Sequence, residues 1–314
     1  MKTAVFGVWH EHAPDYTLKA LEHGEVLGFY ERDDALAERF AKRFGLPRFS
    51  TPEELLNSDA EGVIVCSASC DHAEDIIRIA NAKKNIFTEK VLTLTEEDAE
   101  RVKRAVEENG VTLTISLFQK YLGSRITVKA VADSGELGKI NYVRFRNCHS
   151  GSVANWLPDH FYSRKECGGG AMIDLGAHGM YLINWILGMP KTATSTFTLA
   201  CENPDALSKN SDRVEDNAVT VMSFENGAVA VNETGFVSNC SCVVFEVHGE
   251  NGFVRMEGDK VFKCTNETGK ALTEAIVLPS EDAPILQFLK GNALPGCGLS
   301  DAIALTQMMV MAYN

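Results

Sequence analysis

The first third of the chain repeats one pattern: a short apolar run followed by an amphipathic stretch, about every 25 residues. The runs have the length of β-strands, and the stretches between them have the period of helices that bury one face. Strands that alternate with helices pair in parallel, because each crossover helix returns the chain to the same edge of the sheet. The pattern predicts a doubly wound α/β sheet with strands at 3–8, 25–30, 62–66, 85–88 and 111–115.

The helices predicted between these strands begin and end at capping signals. Pro14 suits a first helical turn and Gly24 follows that helix, while Gly45 follows the helix at 34–44. Thr51 is placed to cap a short helix. Further helices are predicted at 71–82 and 96–109.

The pattern changes after residue 118. A helix at 123–133, a strand at 140–147 and a helix that opens at the glycine run 168–170 are followed by successive strands from about 193 to 277. Strands without intervening helices predict an antiparallel sheet. We therefore predict a doubly wound domain over 1–118 and an α+β domain with a large, mostly antiparallel open sheet over 119–314. Whether the final helix, 300–313, packs back on the first domain stays open.

Charge and cysteine usage exclude several classes of partner. The 314 residues include 30 Lys and Arg against 43 Asp and Glu, a net charge of −13, which disfavours nucleic acid and anionic membrane surfaces. The nine cysteines are scattered without a CxxC pair, as in reduced cytoplasmic proteins. The N-terminus lacks the apolar run of a signal peptide, and the apolar segment 171–189 contains Asp174 and His178. We expect a cytoplasmic protein without a membrane partner.

The first βα turn has the position of a dinucleotide-binding turn, but most of the glycines typical of such a turn are absent. Of the glycines in G-x-G-x-x-G only Gly7 remains, because Trp9 and His12 replace the other two and His10 lies between them. A helix N-terminus still attracts phosphate, so these four residues are candidate cofactor contacts. The alternative is that the three large side chains pack against the sheet edge. His10 and His12 lack a third metal ligand nearby in sequence, and we expect no metal site.

Two charged residues follow the second predicted strand. Glu31 lies about 20 residues beyond the glycine turn, where a carboxylate can accept hydrogen bonds from the ribose hydroxyls of a dinucleotide. A carboxylate there disfavours a 2′-phosphate, which makes NAD the expected cofactor and NADP the less favoured one. Arg32 could instead meet a phosphate, and a solvated charge cluster is the remaining alternative.

Two segments carry groups suited to catalysis. Glu89 and Lys90 follow the fourth strand, at the sheet edge where parallel sheets bind ligands, so Lys90 is placed to meet a substrate oxygen or a cofactor. Asp174 and His178 lie four residues apart on one predicted helix face, where the carboxylate can orient the imidazole as a general base. The glycine run before them is costly in backbone entropy, which indicates that the backbone there approaches another group closely.

These segments resemble the Gfo/Idh/MocA oxidoreductases, named for glucose–fructose oxidoreductase and inositol dehydrogenase. The resemblance rests on Glu89-Lys90 and on the sequence Gly168 to His178, and it extends over nearly the whole chain. It departs from the family at the glycine turn and at Val91, where the family has proline. It implies an NAD(P)-binding Rossmann domain followed by a substrate domain, and a dehydrogenase acting on CH–OH groups of a sugar, inositol or related polyol.

The resemblance also assigns roles to residues. Lys90 would polarise the reacting oxygen, His178 would accept the hydroxyl proton, and Asp174 would orient His178 or share the proton. The other positions it implies are cofactor contacts at Ser67, His72 and Glu89, and substrate contacts at Gln119, Lys120, Trp156, His160 and Tyr162. The last three could equally cap a cleft without contacting substrate.

Other functions on the same fold stay open. NAD could be used transiently for redox-assisted elimination or glycoside cleavage, or the chain could be a non-catalytic binding or regulatory protein. A metal enzyme resting on His10, His12 and the Cys240-Ser241-Cys242 segment is the least favoured. We expect a homodimer or homotetramer, because alternating apolar residues predict an apolar sheet face formed by Val219, Val221, Val229, Val231, Val243, Phe245 and Val247.

Overall fold

The computed structural model describes residues 1–240, 243–292 and 295–314. The chain forms two compact units. The first comprises residues 1–117 and 282–306, and the second comprises residues 118–281 and 307–314.

The first unit is built on a five-stranded parallel sheet with the order β2-β1-β3-β4-β5. Because the strand order reverses between β1 and β3, their carboxyl ends border the crevice in which such sheets bind ligands. The strands are β1 (Lys2–Phe6), β2 (Glu25–Tyr30), β3 (Gly62–Val65), β4 (Asn85–Thr88) and β5 (Leu113–Ile115).

The helices of this unit begin at the capping residues that the sequence offers. The side chains of Asp33, Thr51 and Thr95 each accept a backbone N–H in the first turn of the helix that follows. The helices are α1 (Ala13–His23), α2 (Asp34–Phe44), α3 (Pro52–Leu56), α4 (His72–Asn81) and α5 (Glu96–Asn109). The apolar faces of α1 and α2 pack on the sheet around a core that includes Phe29, Phe40 and Phe87.

The second unit contains an eight-stranded sheet with the order β13-β12-β11-β10-β6-β9-β8-β7. All its pairs are antiparallel except β6 with β9. The strands are β6 (Ile140–Cys148), β7 (Thr192–Thr198), β8 (Asn217–Ser223), β9 (Val229–Gly235), β10 (Val244–Gly249), β11 (Gly252–Glu257), β12 (Lys260–Thr265) and β13 (Thr273–Glu274). Its α-helices are α6 (Gly123–Asp133), α7 (Arg164–Cys167), α8 (Ala177–Leu187) and α9 (Pro204–Lys209).

The last two helices are α10 (Pro284–Leu289) and α11 (Leu299–Tyr313). Phe288 on α10 packs against Phe87 and completes the core of the first unit. None of the helices in the described ranges has the length and apolar composition needed to cross a bilayer.

The predicted fold class is confirmed, including a parallel first sheet and a mostly antiparallel second one. The prediction that seven apolar residues form one face of the second sheet is wrong. Phe245 and Val247 are fully buried, whereas Val219, Val221 and Val229 are exposed. Successive residues of a strand face opposite sides, so the seven positions do not lie on one face of the sheet.

Candidate functional site

The turn after β1 is tied to the ends of the neighbouring strands. The Gly7 N–H donates to the Tyr30 carbonyl at 2.8 Å, and the His10 N–H donates to the Cys66 carbonyl at 3.0 Å. Gly7 has a φ of +78°, and a Cβ at this position would overlap the backbone of Ser67. The glycine retained from the fingerprint is therefore required by its conformation and by the close approach of β3.

Glu31 links this turn to the second strand. It is buried, and its carboxylate accepts the N–H groups of Val8 at 2.7 Å and Asp33 at 2.9 Å. These bonds fix a carboxylate at the end of β2, the position predicted from its spacing to the glycine turn. The side chain thus shapes the turn itself as well as presenting an acceptor there.

Arg32, next in sequence, forms a clamp with the start of α4. Its guanidinium forms ion pairs with Asp71 and with Asp75, the latter at 2.9 Å. Two carboxylates therefore already engage the Arg32 guanidinium, which could otherwise have met a phosphate beside Glu31. The local charge favours a ribose hydroxyl over a 2′-phosphate.

Glu89 is the centre of a buried polar cluster at the end of β4. Its Oε1 lies 2.7 Å from His12 Nδ1 and 4.0 Å from His10 Nδ1, and it accepts the Tyr16 hydroxyl. Tyr16 Oη also lies 2.7 Å from Ser116 Oγ. Burial raises the pKa of Glu89, but the charges of His10 and His12 outweigh it and hold the pKa well below its ordinary value. Glu89 is an anion within this cluster.

Lys90 follows Glu89 and is also buried. Its N–H donates to Glu89 Oε2 at 2.8 Å, and the peptide bond to Val91 is cis. His72 links the backbone after Lys90 to the backbone after β3. Its Nδ1 lies 2.7 Å from the Val91 carbonyl oxygen, and its Nε2 lies 3.1 Å from the Ser67 carbonyl oxygen. His72 and Ser67 thus position the loop that carries Lys90.

In the second unit, the glycine run meets two segments from far along the chain. A Cβ at Gly170 would collide with the Glu215 carbonyl oxygen, and a Cβ at Gly169 would collide with the Tyr313 hydroxyl. Glu215 Oε1 accepts the N–H groups of Gly170 at 2.9 Å and Met172 at 3.0 Å, and the Tyr313 hydroxyl at 2.6 Å. The predicted close approach is confirmed, and its partner is the chain itself.

The segment after the glycine run differs from the single α-helix that the sequence predicted. Asp174 lies in a π-helical turn, Met172–Gly176, and α8 begins only at Ala177. Such turns widen the helix and are frequent at functional sites. The N–H groups that a regular first turn would leave unpaired are instead bound by Glu215, which explains why the chain can open here.

His178 lies in the first turn of α8 and is buried. Its Nδ1 is 2.9 Å from Tyr181 Oη, which accepts the Gln119 N–H at 3.2 Å. Its ring meets Phe118 edge to face. The tautomer in which Nδ1 donates to Tyr181 carries its basic lone pair on Nε2, which is the form suited to proton abstraction.

Aromatic rings from the loop before the glycine run pack against Phe236, which follows β9. Trp156 is 54% exposed, and its ring is 4.6 Å from that of His149, which stacks on Phe236 at 4.9 Å. Burial lowers the pKa values of His149 and His160, while the charge of Asp174 acts in the opposite direction on both. Asp174 is therefore electrostatically coupled to this loop.

The remaining predicted substrate residues lie in two different parts of the second unit. Gln119 and Lys120 are both buried in a 3-10 helix, Phe118–Tyr121, and Gln119 Oε1 accepts the Arg125 Nε–H at 3.3 Å. Tyr162 is buried in a hydrophobic cluster with its hydroxyl 2.7 Å from Ser152 Oγ. Of the Cys240-Ser241-Cys242 segment, Ser241 and Cys242 lie outside the described residues.

Several residues that shape the site were missed by the sequence analysis: Tyr16, His149, Tyr181, Glu215 and Tyr313. Tyr16 is four residues after His12 and Tyr181 is three after His178, so the periodicity of one helix face could have found both. Glu215 and Tyr313 reach the glycine run only through the tertiary fold. The first unit thus holds a buried lysine beside an acid–imidazole cluster, and the second holds a buried histidine whose Nδ1 contacts Tyr181.

Both parts of the chain match family models. Residues 1–117 match the model described as an oxidoreductase family with an NAD-binding Rossmann fold. Residues 126–255 match the model described as the GFO/IDH/MocA C-terminal domain. The two matches lie in order along the chain and together cover most of it.

Individual relatives are more distant. The NAD-dependent scyllo-inositol 2-dehydrogenase of Bacillus subtilis (strain 168) is 28% identical over 194 residues, which are 61% of this chain and 54% of that protein. The dTDP-3,4-didehydro-2,6-dideoxy-alpha-D-glucose 3-reductase of Saccharopolyspora spinosa is 28% identical over 267 residues, 82% of this chain and 76% of that protein. Across three Bacillus subtilis relatives, the chain spans only about half of their length, between 43% and 54%.

Solved structures show the same fold. The aldose-aldose oxidoreductase from Caulobacter crescentus, complexed with glycerol, superposes with a TM-score of 0.82 at 18% identity and covers 100% of this chain and 96% of its own. At that identity the likeness concerns the fold alone. The family rests instead on the two model matches, one over each sheet: the chain belongs to the Gfo/Idh/MocA family of oxidoreductases.

Proposed function

We propose that the chain is an NAD-dependent dehydrogenase or reductase that acts on a CH–OH carbon of a sugar, inositol or related polyol. The observation that carries the proposal is a buried lysine, Lys90, at the carboxyl end of β4 in a sheet that matches an NAD-binding family. Parallel sheets bind their ligands at this edge, which supports a role for Lys90 toward a substrate oxygen or a cofactor ribose.

The preference for NAD over NADP rests on the end of β2. Glu31 presents a fixed carboxylate there, and the Arg32 guanidinium is engaged by Asp71 and Asp75. A 2′-phosphate would meet three carboxylates and no uncommitted partner in Arg32, whereas a ribose hydroxyl can donate to Glu31. NAD, when bound, supplies the hydride acceptor of the reaction.

The proposed roles of the chain's own residues follow from their chemistry. The Lys90 ammonium stabilises the negative charge that develops on the substrate oxygen. His178 accepts the hydroxyl proton while the C–H bond of the same carbon gives up a hydride and a carbonyl forms. Tyr181 orients the His178 ring through Nδ1, and Asp174 shares the proton.

The substrate class rests on the second unit and on the relatives. Trp156 is 54% exposed and lies tilted against His149, and an exposed indole suits stacking against the apolar CH face of a sugar or inositol ring. The relatives are named for inositol, deoxysugar and aldose substrates. We also propose that the protein works in the cytoplasm, because its nine cysteines are scattered along the sequence without a CxxC pair.

The test is a dehydrogenase screen with the purified chain. NAD reduction is followed by absorbance with inositols and aldoses as substrates, and then in Lys90→Ala and His178→Ala. Removing the base is expected to lower kcat/KM by about 10²- to 10⁴-fold. Lys84→Ala and His23→Ala are the matched controls, since Lys84 is only partly buried and His23 is exposed. Wild-type rates in both site variants would contradict the assigned roles, and stoichiometric NAD turnover would exclude a redox-neutral reaction.

A further inference from the structure

The cluster around Glu89 brings together three side chains of metal-ligating type. His10 and His12 come from the turn after β1, and Glu89 comes from the end of β4. One ligand atom from each, two imidazole nitrogens and a carboxylate oxygen, lie within 4.8 Å of one another. The third ligand that the sequence lacks near the two histidines is supplied by the fold, from 77 residues along the chain.

We propose that His10, His12 and Glu89 bind a divalent first-row transition-metal ion, with Zn²⁺ as the best-matched candidate. Two imidazoles and one carboxylate form a donor set typical of catalytic zinc sites and of non-haem iron sites. Mg²⁺ and Ca²⁺ prefer all-oxygen ligands, so the two nitrogens disfavour them. The inference does not depend on the proposed redox reaction.

Binding such an ion requires the side chains to move, because the His12 N–H donates to His10 Nδ1 at 3.1 Å and this hydrogen bond would have to open for that nitrogen to act as a ligand. Zn²⁺ bonds to nitrogen and oxygen at about 2.0–2.2 Å, which places tetrahedral ligand atoms roughly 3.4 Å apart. His12 Nδ1 lies 2.7 Å from Glu89 Oε1 and His10 Nδ1 lies 4.0 Å from it, on either side of that separation. An ion would replace the hydrogen bond between His12 and Glu89 with two coordinate bonds and release the proton that they share.

The surroundings of the carboxylate resemble the outer shell of a metal site. The Lys90 N–H holds Oε2, and the Tyr16 hydroxyl donates to Oε1 while it also contacts Ser116. Such bonds orient metal-ligating carboxylates and tune their affinity. The backbone of the turn is fixed as well, because the His10 N–H donates to the Cys66 carbonyl.

Access to the cluster is from the side of His12. Its side chain is 38% exposed, whereas that of Glu89 is 1% exposed and that of His10 is 9% exposed. An ion can therefore enter from solvent past His12 and keep a position open to water. Three protein ligands with an open fourth position are the arrangement of zinc sites that do chemistry rather than hold structure.

The experiment measures metal binding on the full-length, untagged chain, stripped with a chelator and free of nicotinamide. Titration calorimetry with ZnCl₂ is expected to show one site per chain, and CoCl₂ is expected to give the intense visible bands of a low-coordinate Co²⁺ ion. His10→Ala, His12→Ala and Glu89→Gln should each weaken Zn²⁺ binding more than about tenfold, and Tyr16→Phe should weaken it about 10- to 100-fold through the lost outer-shell bond. His23→Ala, at the exposed end of α1, is the matched control and should retain wild-type affinity.

Three outcomes would overturn the inference: no Zn²⁺ binding, the pale six-coordinate spectrum of hydrated Co²⁺, or equal affinity in the site variants and His23→Ala. The cobalt spectrum is read on the wild-type chain, so it decides the question even where a variant fails to fold. Because nicotinamide is absent throughout, a chain that binds no NAD can still pass this test, and a chain that binds NAD can still fail it.

Discussion

His149 is held in its neutral form by its neighbours. The Gly151 N–H donates to its Nδ1 at 3.0 Å, so Nδ1 acts as the acceptor and the ring proton lies on Nε2. The ring is stacked on Phe236 and has the tilted ring of Trp156 4.6 Å away. Burial lowers the pKa of His149, and the charge of Asp174 offsets this only in part. Protonating the ring would bury a positive charge. It would also put a proton on Nδ1, where the ring now accepts the Gly151 N–H.

This arrangement makes stability depend on pH. The unfolded chain takes up the His149 proton first as pH falls through about 6.5, because the folded-state pKa lies lower. The free energy of unfolding therefore falls from that pH downward, until the folded form is protonated as well. His149→Phe keeps a stacked ring and is expected to flatten this fall in urea unfolding measured between pH 7.5 and 5. His23→Phe, at an exposed position, is the control and should keep the wild-type dependence of the free energy of unfolding on pH. The same dependence in His149→Phe would contradict the prediction.

At the residue scale, the sequence predicted which side chains matter better than what they touch. Glu31 and Lys90 were selected from their places after strands, and the structure buries both at those places. The hydrogen bonds of Glu89 to His12 and Tyr16 were not predictable, because they join residues more than 70 positions apart. Sequence spacing reports neighbours on one element, whereas a site is assembled from several.

The start of the π turn is capped by tertiary contacts rather than by its own sequence. Glu215 binds the N–H groups of Gly170 and Met172, and the Tyr313 hydroxyl accepts the Ile173 N–H at 3.1 Å. The Glu215 charge and burial together raise the pKa of Tyr313 well above its ordinary value, with burial the larger cause. Tyr313 therefore stays protonated and donates to Glu215.

Removing this cap should destabilise the second unit. Glu215→Ala leaves two buried N–H groups and the Tyr313 hydroxyl without their acceptor, at a cost of at least about 2 kcal/mol in the free energy of unfolding. Glu225→Ala removes a carboxylate from an exposed ion pair with Lys191 and should change stability by less than about 1 kcal/mol. Urea unfolding compares the two variants, and similar losses in both would show that Glu215 does not hold the turn.

At the scale of elements, prediction succeeded where the signals are local. The bounds of α2 and α5 match those predicted, because capping residues and terminal glycines mark both ends of each helix. The π turn and α9 were missed. The turn depends on Glu215, which is distant in sequence, and α9 is a six-residue helix within a segment that reads as strands.

At the scale of the molecule, the order of elements was enough to predict both sheets, since helix-linked strands pair in parallel and directly linked strands pair in antiparallel fashion. The faces of the second sheet were harder to assign. α8 packs against β6 and β9 on one side. On β8 and β9 the valines Val219, Val221 and Val229 point away from the buried residues and are 38–46% exposed.

These valines are the basis of the expected self-association. Exposed apolar residues clustered on neighbouring strands favour burial against another protein surface, and a second copy of the chain presents the same patch under twofold symmetry. Val221→Lys places a charge at the centre of the patch and is expected to weaken dimerisation at least about tenfold in sedimentation velocity measured over a range of concentrations. Ile276→Lys makes the same change at a residue that is 92% exposed and follows β13, at the opposite edge of the sheet, so it should leave the oligomer intact. A wild-type chain that sediments as a monomer would contradict the expectation outright. If the oligomer persists in Val221→Lys but dissociates in Ile276→Lys, the interface lies at the β13 edge of the sheet instead.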